Sequence, residues 1–276
     1  MDVYRVAAFT YSGVGGNPAG VVICDQLPDA EFMQKMAKNI GYSETVFAAP
    51  VQSGYRVRYF APETEVPFCG HATIALGAVF ARTGIKGPVH LELKNGEALV
   101  EGSVRADGLS ASLHSMPTSH GPVLPVLFEG SLDLFNMTPG DLDDSIPPAI
   151  IDAGARHLLL SLKQRERLST MKYDQVAGLK LMREWDLATI SLIFSENHTR
   201  YHARNPFAAG GVYEDPATGA AAAALVAYLT HLGIGTGKIE VIQGEDMGVP
   251  CLIYAEAPDK SGGCARVWGN ARFIVD

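Results

Sequence analysis

The stretch from Pro67 to Ile85 constrains the fold most, because the chain contains it twice. The second copy begins at Pro216, a shift of 149 residues (216 − 67). Eight positions are identical in this register: Pro67 and Pro216, Gly70 and Gly219, Ala72 and Ala221, Ala75 and Ala224, Leu76 and Leu225, Ala78 and Ala227, Gly84 and Gly233, Ile85 and Ile234. In each copy a glycine precedes a run of good helix formers, and Gly-Ile ends it. Such fixed-register similarity indicates a duplicated unit, and two copies make a pseudo-dimer.

Both repeated segments are predicted to be buried helices. Each is apolar around its whole circumference, so protein should enclose it on all sides. At roughly 13 residues, each helix is too short to cross a bilayer. Because strand-like segments flank both helices, we predict an α+β fold of two pseudo-symmetric domains, each a β-barrel-like sheet wrapped around a central apolar helix. The alternative is two ordinary core helices whose alanines and glycines match by chance.

The sequence divides into two halves. Ser115 to Pro125 contains three prolines and no apolar period, which is typical of a linker. We assign residues 1–116, with a last strand at about 266–276, to an N-terminal domain and residues 118–265 to a C-terminal domain. The last strand could also return to the second half. Asp29 is predicted to open an amphipathic helix with Phe32 on its apolar face, and Asn95-Gly96 predicts a hairpin turn.

Composition excludes several classes of partner. The 276 residues carry a net charge of −8, which argues against a nucleic-acid or anionic membrane partner. The four cysteines show no CxxC pair and no zinc-ligand spacing, so no metal site is predicted. No signal peptide is recognisable at the N-terminus, and a reducing cytoplasmic compartment is expected. The glycine-rich loop from Tyr11 to Gly20 lacks the Lys-Ser or Lys-Thr of a phosphate loop and is interpreted as a turn.

The predicted chemistry lies at the starts of the two helices. Free backbone N–H groups and the positive end of each helix dipole would hold an anion there, most simply a carboxylate. If a pseudo-twofold axis relates the two helices, both starts face one cleft. Polar residues cluster at these starts: Cys69, His71, Glu214, Asp215 and Thr218, with Glu44 joining them if its loop–strand junction lies at the same cleft. Several carboxylates and an imidazole favour proton transfer without a cofactor.

Four of these residues also have a structural interpretation. Cys69 resembles a small buried hydrophobe, His71 a satisfied core histidine, Asp215 a helix cap and Glu44 a solvated loop charge. A racemase with one thiol on each face of the substrate is disfavoured, since the repeat places Thr218 opposite Cys69. An amino-acid racemase or epimerase that depends on Cys69 alone stays open as an alternative.

Four motifs, GNPAGVV, GYSETVF, PFCGHATIA and EDPATGAAAAAL, resemble in order and spacing the phenazine-biosynthesis isomerase-like family. That family is named after trans-2,3-dihydro-3-hydroxyanthranilate isomerase and shares its fold with diaminopimelate epimerase. The resemblance covers nearly the whole chain. It implies two pseudo-symmetric domains with the site between them, and usually a homodimer.

The resemblance also implies roles for individual residues. Glu44 would shuttle the proton beside Ser43, Gly70 and His71 would contact the substrate, and Asp215 would lie opposite the glutamate. The remaining substrate-binding candidates are Thr218, Gly219 and Ala220.

Two departures from the family pattern bear on specificity. Ala220 stands where the family often has serine, and Val249 where it often has arginine. A lost hydrogen bond to a charged group is worth roughly 1.5–3 kcal/mol, enough to shift specificity without removing proton transfer. We therefore expect a cofactor-independent isomerase that acts on a small carboxylate-bearing substrate other than the phenazine precursor. A non-catalytic ligand-binding or interaction protein is the alternative from another class.

Overall fold

A computed structural model describes residues 1–94, 96–106 and 108–275. The chain forms two compact units. The first comprises residues 1–114, 249–252 and 268–276, and the second comprises residues 115–248 and 253–267. No helix in the described ranges is long and apolar enough to span a membrane.

The first unit is built from strands and two helices of 11 and 13 residues. In chain order these are β1 (Asp2–Thr10), β2 (Asn17–Ile23), α1 (Ala30–Ile40), β3 (Glu44–Val51), β4 (Gly54–Phe60), β5 (Glu65–Val66), α2 (Gly70–Arg82), β6 (Pro88–Leu93), β7 (Gly96–Arg105) and β8 (Gly108–Pro117). The second unit continues with β9 (Ser119–Pro122), α3 (Pro125–Leu134), β10 (Ala149–Asp152), β11 (Arg156–Leu162), α4 (Arg165–Ser169), α5 (Gln175–Glu184), β12 (Thr189–Asn197), β13 (Arg200–Pro206), β14 (Glu214–Asp215), α6 (Gly219–His231) and β15 (Lys238–Gln243). The last two strands, β16 (Cys251–Glu256) and β17 (Cys264–Phe273), are divided between the units, because residues 251–252 and 268–273 belong to the first and the rest of each strand to the second.

Both units use the same order of strand pairing. In the first, β1–β2 is antiparallel, β2–β3 parallel, β3–β4 and β4–β5 antiparallel, and β4–β6 parallel. In the second, β10–β11 is antiparallel, β11–β12 parallel, β12–β13 and β13–β14 antiparallel, and β13–β15 parallel. The predicted α+β class with two similar sheet-and-helix units is confirmed.

The helices α2 and α6 are the centres of the two units. Each has 13 residues, and their bounds coincide after the 149-residue shift (219 − 70). All residues from His71 to Phe80 in α2 are buried, which is what an apolar circumference predicts. α2 packs against β1, β2, β3 and β7, whereas α6 packs against β9, β10, β11 and β15. The approach of β7 to α2 requires glycine, because a Cβ on Gly102 would lie 1.9 Å from the Gly77 carbonyl oxygen.

Several local predictions can be checked against these elements. The segment from Ser115 to Pro125, predicted as a linker, begins at the boundary between the two units. It is mostly regular structure, because β8 continues to Pro117, β9 begins at Ser119, and Pro125 begins α3. Proline is tolerated at strand ends and in the first helical turn, where its missing N–H costs no ladder bond. Asp29 caps α1 as predicted, but Phe32 is 45% exposed, and Met33 and Ala37 form the buried face.

The hairpin between β6 and β7 forms as predicted, and its Asn95 lies outside the described residues. β17 pairs with β1 over Val6–Thr10.

Candidate active site

Three side chains of different chemistry converge in the first unit. Glu44 is the first residue of β3, Cys69 is the N-cap of α2, and His71 is the second residue of that helix. His71 Nε2 lies 3.3 Å from Glu44 Oε2, and Cys69 Sγ lies 3.4 Å from His71 Nδ1. Ser43 Oγ lies 3.4 Å from His71 Nε2. The start of β3 and the start of α2 therefore bring a carboxylate, a thiol, an imidazole and a hydroxyl group close together.

The Glu44 carboxylate is buried and incompletely satisfied. Its side chain is 14% exposed, and that of His71 is 6% exposed. Oε2 has no hydrogen-bond partner among the described atoms, although His71 Nε2 is only 3.3 Å away. His71 and Glu44 are therefore in contact without forming a hydrogen bond. A buried carboxylate oxygen without a donor is energetically costly in a folded protein, so its retention points to function.

A chain of hydroxyl groups fixes the start of α2. The buried Tyr59 hydroxyl lies 2.7 Å from Thr73 Oγ1, which donates to the Cys69 carbonyl at 2.7 Å. Burial raises the pKa of Tyr59, so the phenol stays protonated and can supply the hydrogen bond. This network holds the peptide that leads from Cys69 into Gly70.

The corresponding helix start in the second unit is organised by one buried amide. Gln243, at the end of β15, donates from Nε2 to the Asp215 carbonyl at 2.6 Å and to Thr218 Oγ1 at 2.9 Å. Its Oε1 accepts from the Thr218 N–H at 3.1 Å. Thr218 in turn donates from Oγ1 to Asp215 Oδ2 at 2.7 Å. Gln243 therefore fixes both the backbone and, through Thr218, the side chain of Asp215.

Equivalent ion pairs precede the two central helices. Arg58 binds Glu65 through Nε at 2.7 Å and Nη2 at 2.9 Å. Arg204 binds Glu214 in the same bidentate manner, at 2.9 and 2.5 Å. The hydrogen bond from Arg58 is the main reason why the pKa of Glu65 falls to about 2. Glu214, a candidate from the sequence, is thus engaged in a structural ion pair.

Comparison with known proteins agrees with this geometry. The sequence matches the family described as phenazine biosynthesis-like protein over residues 6–275. The chain belongs to this family. It is 32% identical to the trans-2,3-dihydro-3-hydroxyanthranilate isomerase of Pseudomonas aeruginosa, over 91% of this chain and 88% of that protein. It is 30% identical to an uncharacterized isomerase of Deinococcus radiodurans, over 95% and 91% of the two chains. The chain is accordingly an isomerase.

Solved structures share the fold of this family member. A phenazine biosynthesis protein of Bacillus anthracis superposes with a TM-score of 0.84 at 24% identity, covering 100% of this chain and 98% of that one. A hydroxyproline epimerase of Agrobacterium vitis superposes with a TM-score of 0.64 at 11% identity, covering 99% and 90%. At these identities the likeness shows the fold alone.

Within this family member, the sequence-derived candidates fall into two groups. Ser43, Glu44, Gly70 and His71 come together in the first unit, and Asp215, Thr218, Gly219 and Ala220 come together in the second. Gln243 was missed, because a glutamine next to Gly244 carries no motif of its own. The pairing of β15 with β13 brings Gln243 within hydrogen-bonding distance of Asp215, and this contact cannot be read from the sequence. Among the residues that the structure describes, Glu44, Cys69 and His71 form a group that could ligate a metal.

Proposed function

We propose that this isomerase moves a proton within a small carboxylate-bearing substrate, without a cofactor, and that Glu44 is the acid/base. The observation that carries the proposal is the buried Glu44 Oε2, which has no hydrogen-bond partner in the described structure. A carboxylate oxygen that no protein donor engages keeps its lone pairs for a substrate proton. A merely structural glutamate would be expected to resemble Glu65, with its oxygens held by Arg58.

The neighbours of Glu44 suit substrate positioning. His71 Nε2 and Ser43 Oγ lie close enough to orient a polar group of the substrate beside the carboxylate. The N-terminus of α2, which begins at Gly70, presents N–H groups without intrahelical partners and a favourable dipole for a carboxylate. Proton abstraction next to a carboxylate builds negative charge on that group, and fixed N–H donors stabilise it.

Asp215 is assigned to the same reaction as a positioning and polarising group. Its Oδ2 is held by Thr218, and its Oδ1 accepts weakly from the Ala217 N–H at 3.4 Å, so the carboxylate has a defined orientation. The start of α6, with Gly219 and Ala220, offers a second set of helix N–H groups for the substrate. Ala220 adds no hydroxyl there, which favours a substrate that lacks a matching polar group.

The direct test is proton exchange with solvent. Two probes are incubated with the protein in deuterated water: trans-2,3-dihydro-3-hydroxyanthranilate, after the Pseudomonas relative, and trans-4-hydroxyproline, which is bound in the Agrobacterium epimerase structure. Further small carboxylates are chosen by thermal-shift screening. Proton NMR should show loss of one carbon-bound proton signal for at least one compound.

Glu44→Gln should slow this exchange roughly 10²–10⁴-fold, the range for loss of a general acid/base. The matched control is Glu63→Gln, because Glu63 is an exposed glutamate that pairs with Lys38 on the surface. Exchange in Glu44→Gln at the parental rate would remove Glu44 from the mechanism.

A second candidate mechanism uses Cys69 as the base of a racemase or epimerase. The 3.4 Å contact between Cys69 Sγ and His71 Nδ1 favours it, because an adjacent imidazole can take up a thiol proton. Cys69→Ser then should abolish exchange, and thiol alkylation should do the same. Under the Glu44 mechanism, Cys69→Ser retains exchange within about tenfold of the parental rate.

The family resemblance also supports a homodimer. Light scattering on the purified protein tests it: a mass near twice the 29.5 kDa of the chain is expected, and a monomer at working concentration would contradict it.

A further inference from the structure

A charged cluster holds the segment that follows Gln243. This segment is one turn of 3₁₀ helix, Glu245–Met247. Arg165, the first residue of α4, donates from Nη2 to Glu245 Oε1 at 2.6 Å and to both carboxylate oxygens of Asp246 at 3.0 Å. We call Arg165, Glu245 and Asp246 the turn clamp. It joins α4 to the residues that directly follow β15.

The turn needs an external partner to keep its conformation. Glu245 and Asp246 are adjacent and their side chains are partly buried, so their negative charges repel each other at short range. Glycines in the left-handed region flank the turn, with φ of 75° at Gly244 and 77° at Gly248. Glycine loses the most conformational freedom on ordering. The guanidinium of Arg165, in contact with both carboxylates, offsets the repulsion and the entropy.

The contact pattern of Arg165 differs from that of a fully satisfied ion pair. Nη2 makes all three contacts with the two carboxylates, whereas Nη1 is buried without a hydrogen-bond partner in the described structure. Arg58, by contrast, binds Glu65 through two nitrogens. A buried donor without an acceptor is costly. Arg165 therefore fixes the position of the turn at some cost in stability.

Helix α4 connects the two segments that hold Asp215. At its start, Arg165 fixes the turn after Gln243, and Gln243 donates to the Asp215 carbonyl at 2.6 Å. At its end, the carbonyl of the last residue accepts from Arg204 Nη1 at 2.9 Å. Arg204 also binds Glu214, the residue before Asp215. Both supports of Asp215 therefore converge on this one short helix.

We propose that Arg165 is a positioning residue for Asp215, which it reaches through the turn clamp and Gln243. Only Gly244 separates the clamp from Gln243, so a displaced turn displaces the amide. Gln243 then loses its fixed contacts with the Asp215 carbonyl and with Thr218 Oγ1. Thr218 in turn holds Asp215 Oδ2. The hold on Gln243 rests on these contacts alone, whereas an effect on the reaction rests also on the proposed function.

Solvent exchange of the Gln243 carboxamide tests this hold without any substrate. Nε2 donates to two acceptors, so its hydrogens should exchange slowly with water. ¹⁵N-edited NMR identifies their signals by their absence in Gln243→Met. Arg165→Met should speed this exchange at least about tenfold, and a parental rate would overturn the proposal. Arg165→Lys should exchange more slowly than Arg165→Met, because an ammonium group can replace the one nitrogen that makes the contacts.

The matched control is Arg200→Met. Arg200 binds Glu240 on the same strand, β15, through Nε at 2.9 Å and Nη2 at 2.8 Å, and this pair is similarly exposed. Its loss should leave the exchange of the Gln243 hydrogens unchanged. Equal acceleration in Arg200→Met and Arg165→Met would mean that any lost ion pair loosens β15, and the specific role of Arg165 would be refuted.

Asp246→Asn weakens the clamp from its other side and replaces Arg165→Met if that variant does not fold. Asp246 is preferred to Glu245 for this purpose, because Glu245 Oε1 also lies 2.5 Å from His202 Nδ1. Asp246→Asn should speed exchange of the Gln243 hydrogens in the same direction, and exchange at the parental rate would refute the clamp. Circular dichroism establishes that each variant is folded.

Deuterium exchange of a substrate separates this inference from the proposed function. Arg165→Met should lower the exchange rate at saturating substrate about tenfold, with a smaller effect on KM, because misplaced groups act on the reacting geometry. If Glu44→Gln loses exchange while Arg165→Met keeps the parental rate, the positioning role is wrong and the function stands. If Arg165→Met loosens the Gln243 amide but Glu44→Gln exchanges at the parental rate, the function is wrong and the hold on Gln243 stands.

Discussion

The buried histidine of the second unit gives a quantitative prediction for stability at acid pH. His157 is 1% exposed, and its Nδ1 lies 2.7 Å from Thr189 Oγ1. Because Thr189 donates its own proton to Asn205 Oδ1 at 3.1 Å, His157 must be the donor at Nδ1. Nε2 then carries no proton, and it has no hydrogen-bond partner among the described atoms. A second proton on Nε2 would be buried without an acceptor, so burial lowers the pKa of His157 to about 4.

The lowered pKa makes the folded state less stable as the pH falls. Below pH 6.5 the unfolded chain protonates this histidine while the folded protein does not, until the pH approaches 4. With these two values the penalty is about 0.2 kcal/mol at pH 7 and about 2 kcal/mol at pH 5. His157→Asn keeps a donor toward Thr189 but removes the titration. Its unfolding free energy should therefore depend on pH less steeply than that of the parental protein, by about 2 kcal/mol between pH 7 and pH 5.

Urea unfolding at the two pH values measures this difference. Trp185 in the second unit provides the fluorescence signal, and Trp268→Phe removes the signal of the other tryptophan. The matched control is Ile190→Val, a neighbouring buried change that should cost about 0.5–1.5 kcal/mol at both pH values. If His157→Asn and Ile190→Val show the same pH dependence as the parental protein, His157 titrates normally and the reasoning from burial is refuted.

Three further substitutions test other parts of the structure by urea unfolding at pH 7. Arg204→Met should cost about 3–5 kcal/mol, because it leaves the buried Glu214 carboxylate without its partner; a loss below 1 kcal/mol would contradict a buried ion pair. Gln243→Met should cost roughly 2–4 kcal/mol, since it strips hydrogen bonds from the buried start of α6, and an unchanged midpoint would exclude this role. Gly102→Ala should cost roughly 3 kcal/mol or more, because the methyl group meets the Gly77 carbonyl oxygen; parental stability would mean that β7 can move away from α2.

The sequence predicted the central helices well because their signal is local. The apolar run, the glycine before it and the Gly-Ile after it all lie within one segment, and the bounds of α2 and α6 follow from them. The helix caps Asp29 and Asp174 are also local signals, and both accept from a backbone N–H three residues on. The strands after Ser115 were missed for the opposite reason. The prolines suggest a loop, whereas the pairing of β8 with β17 and of β9 with β10 makes the segment strand.

The candidate site could be predicted only in part, because its geometry depends on strand pairing. Glu44 alone suggests a solvated charge at the end of a loop. Its burial beside His71 follows from the parallel register of β2 and β3, which starts at Ala19 and Glu44. The family resemblance selected Glu44 from the sequence, whereas residue spacing could not have done so. The contacts of Gln243 and the spacing of the three possible metal ligands are tertiary properties and leave no local signal.

The two units share a frame but differ in the chemistry placed on it. Equivalent Arg–Glu pairs precede both central helices in the chain. The parallel pair β2–β3 of the first unit corresponds to the parallel pair β11–β12 of the second. The site positions differ, as three corresponding pairs show: Glu44 and Thr189, Cys69 and Thr218, His71 and Ala220. A mechanism with two equivalent bases would need a titratable group at these positions in both units, and the second unit has none there. The acidic side chain near this helix start is Asp215, which occupies the position that corresponds to Val66 of β5. Thr218 and Gln243 hold it by hydrogen bonds. The asymmetry therefore argues against a pair of equivalent bases and supports the proposal of a single base, Glu44, in the first unit.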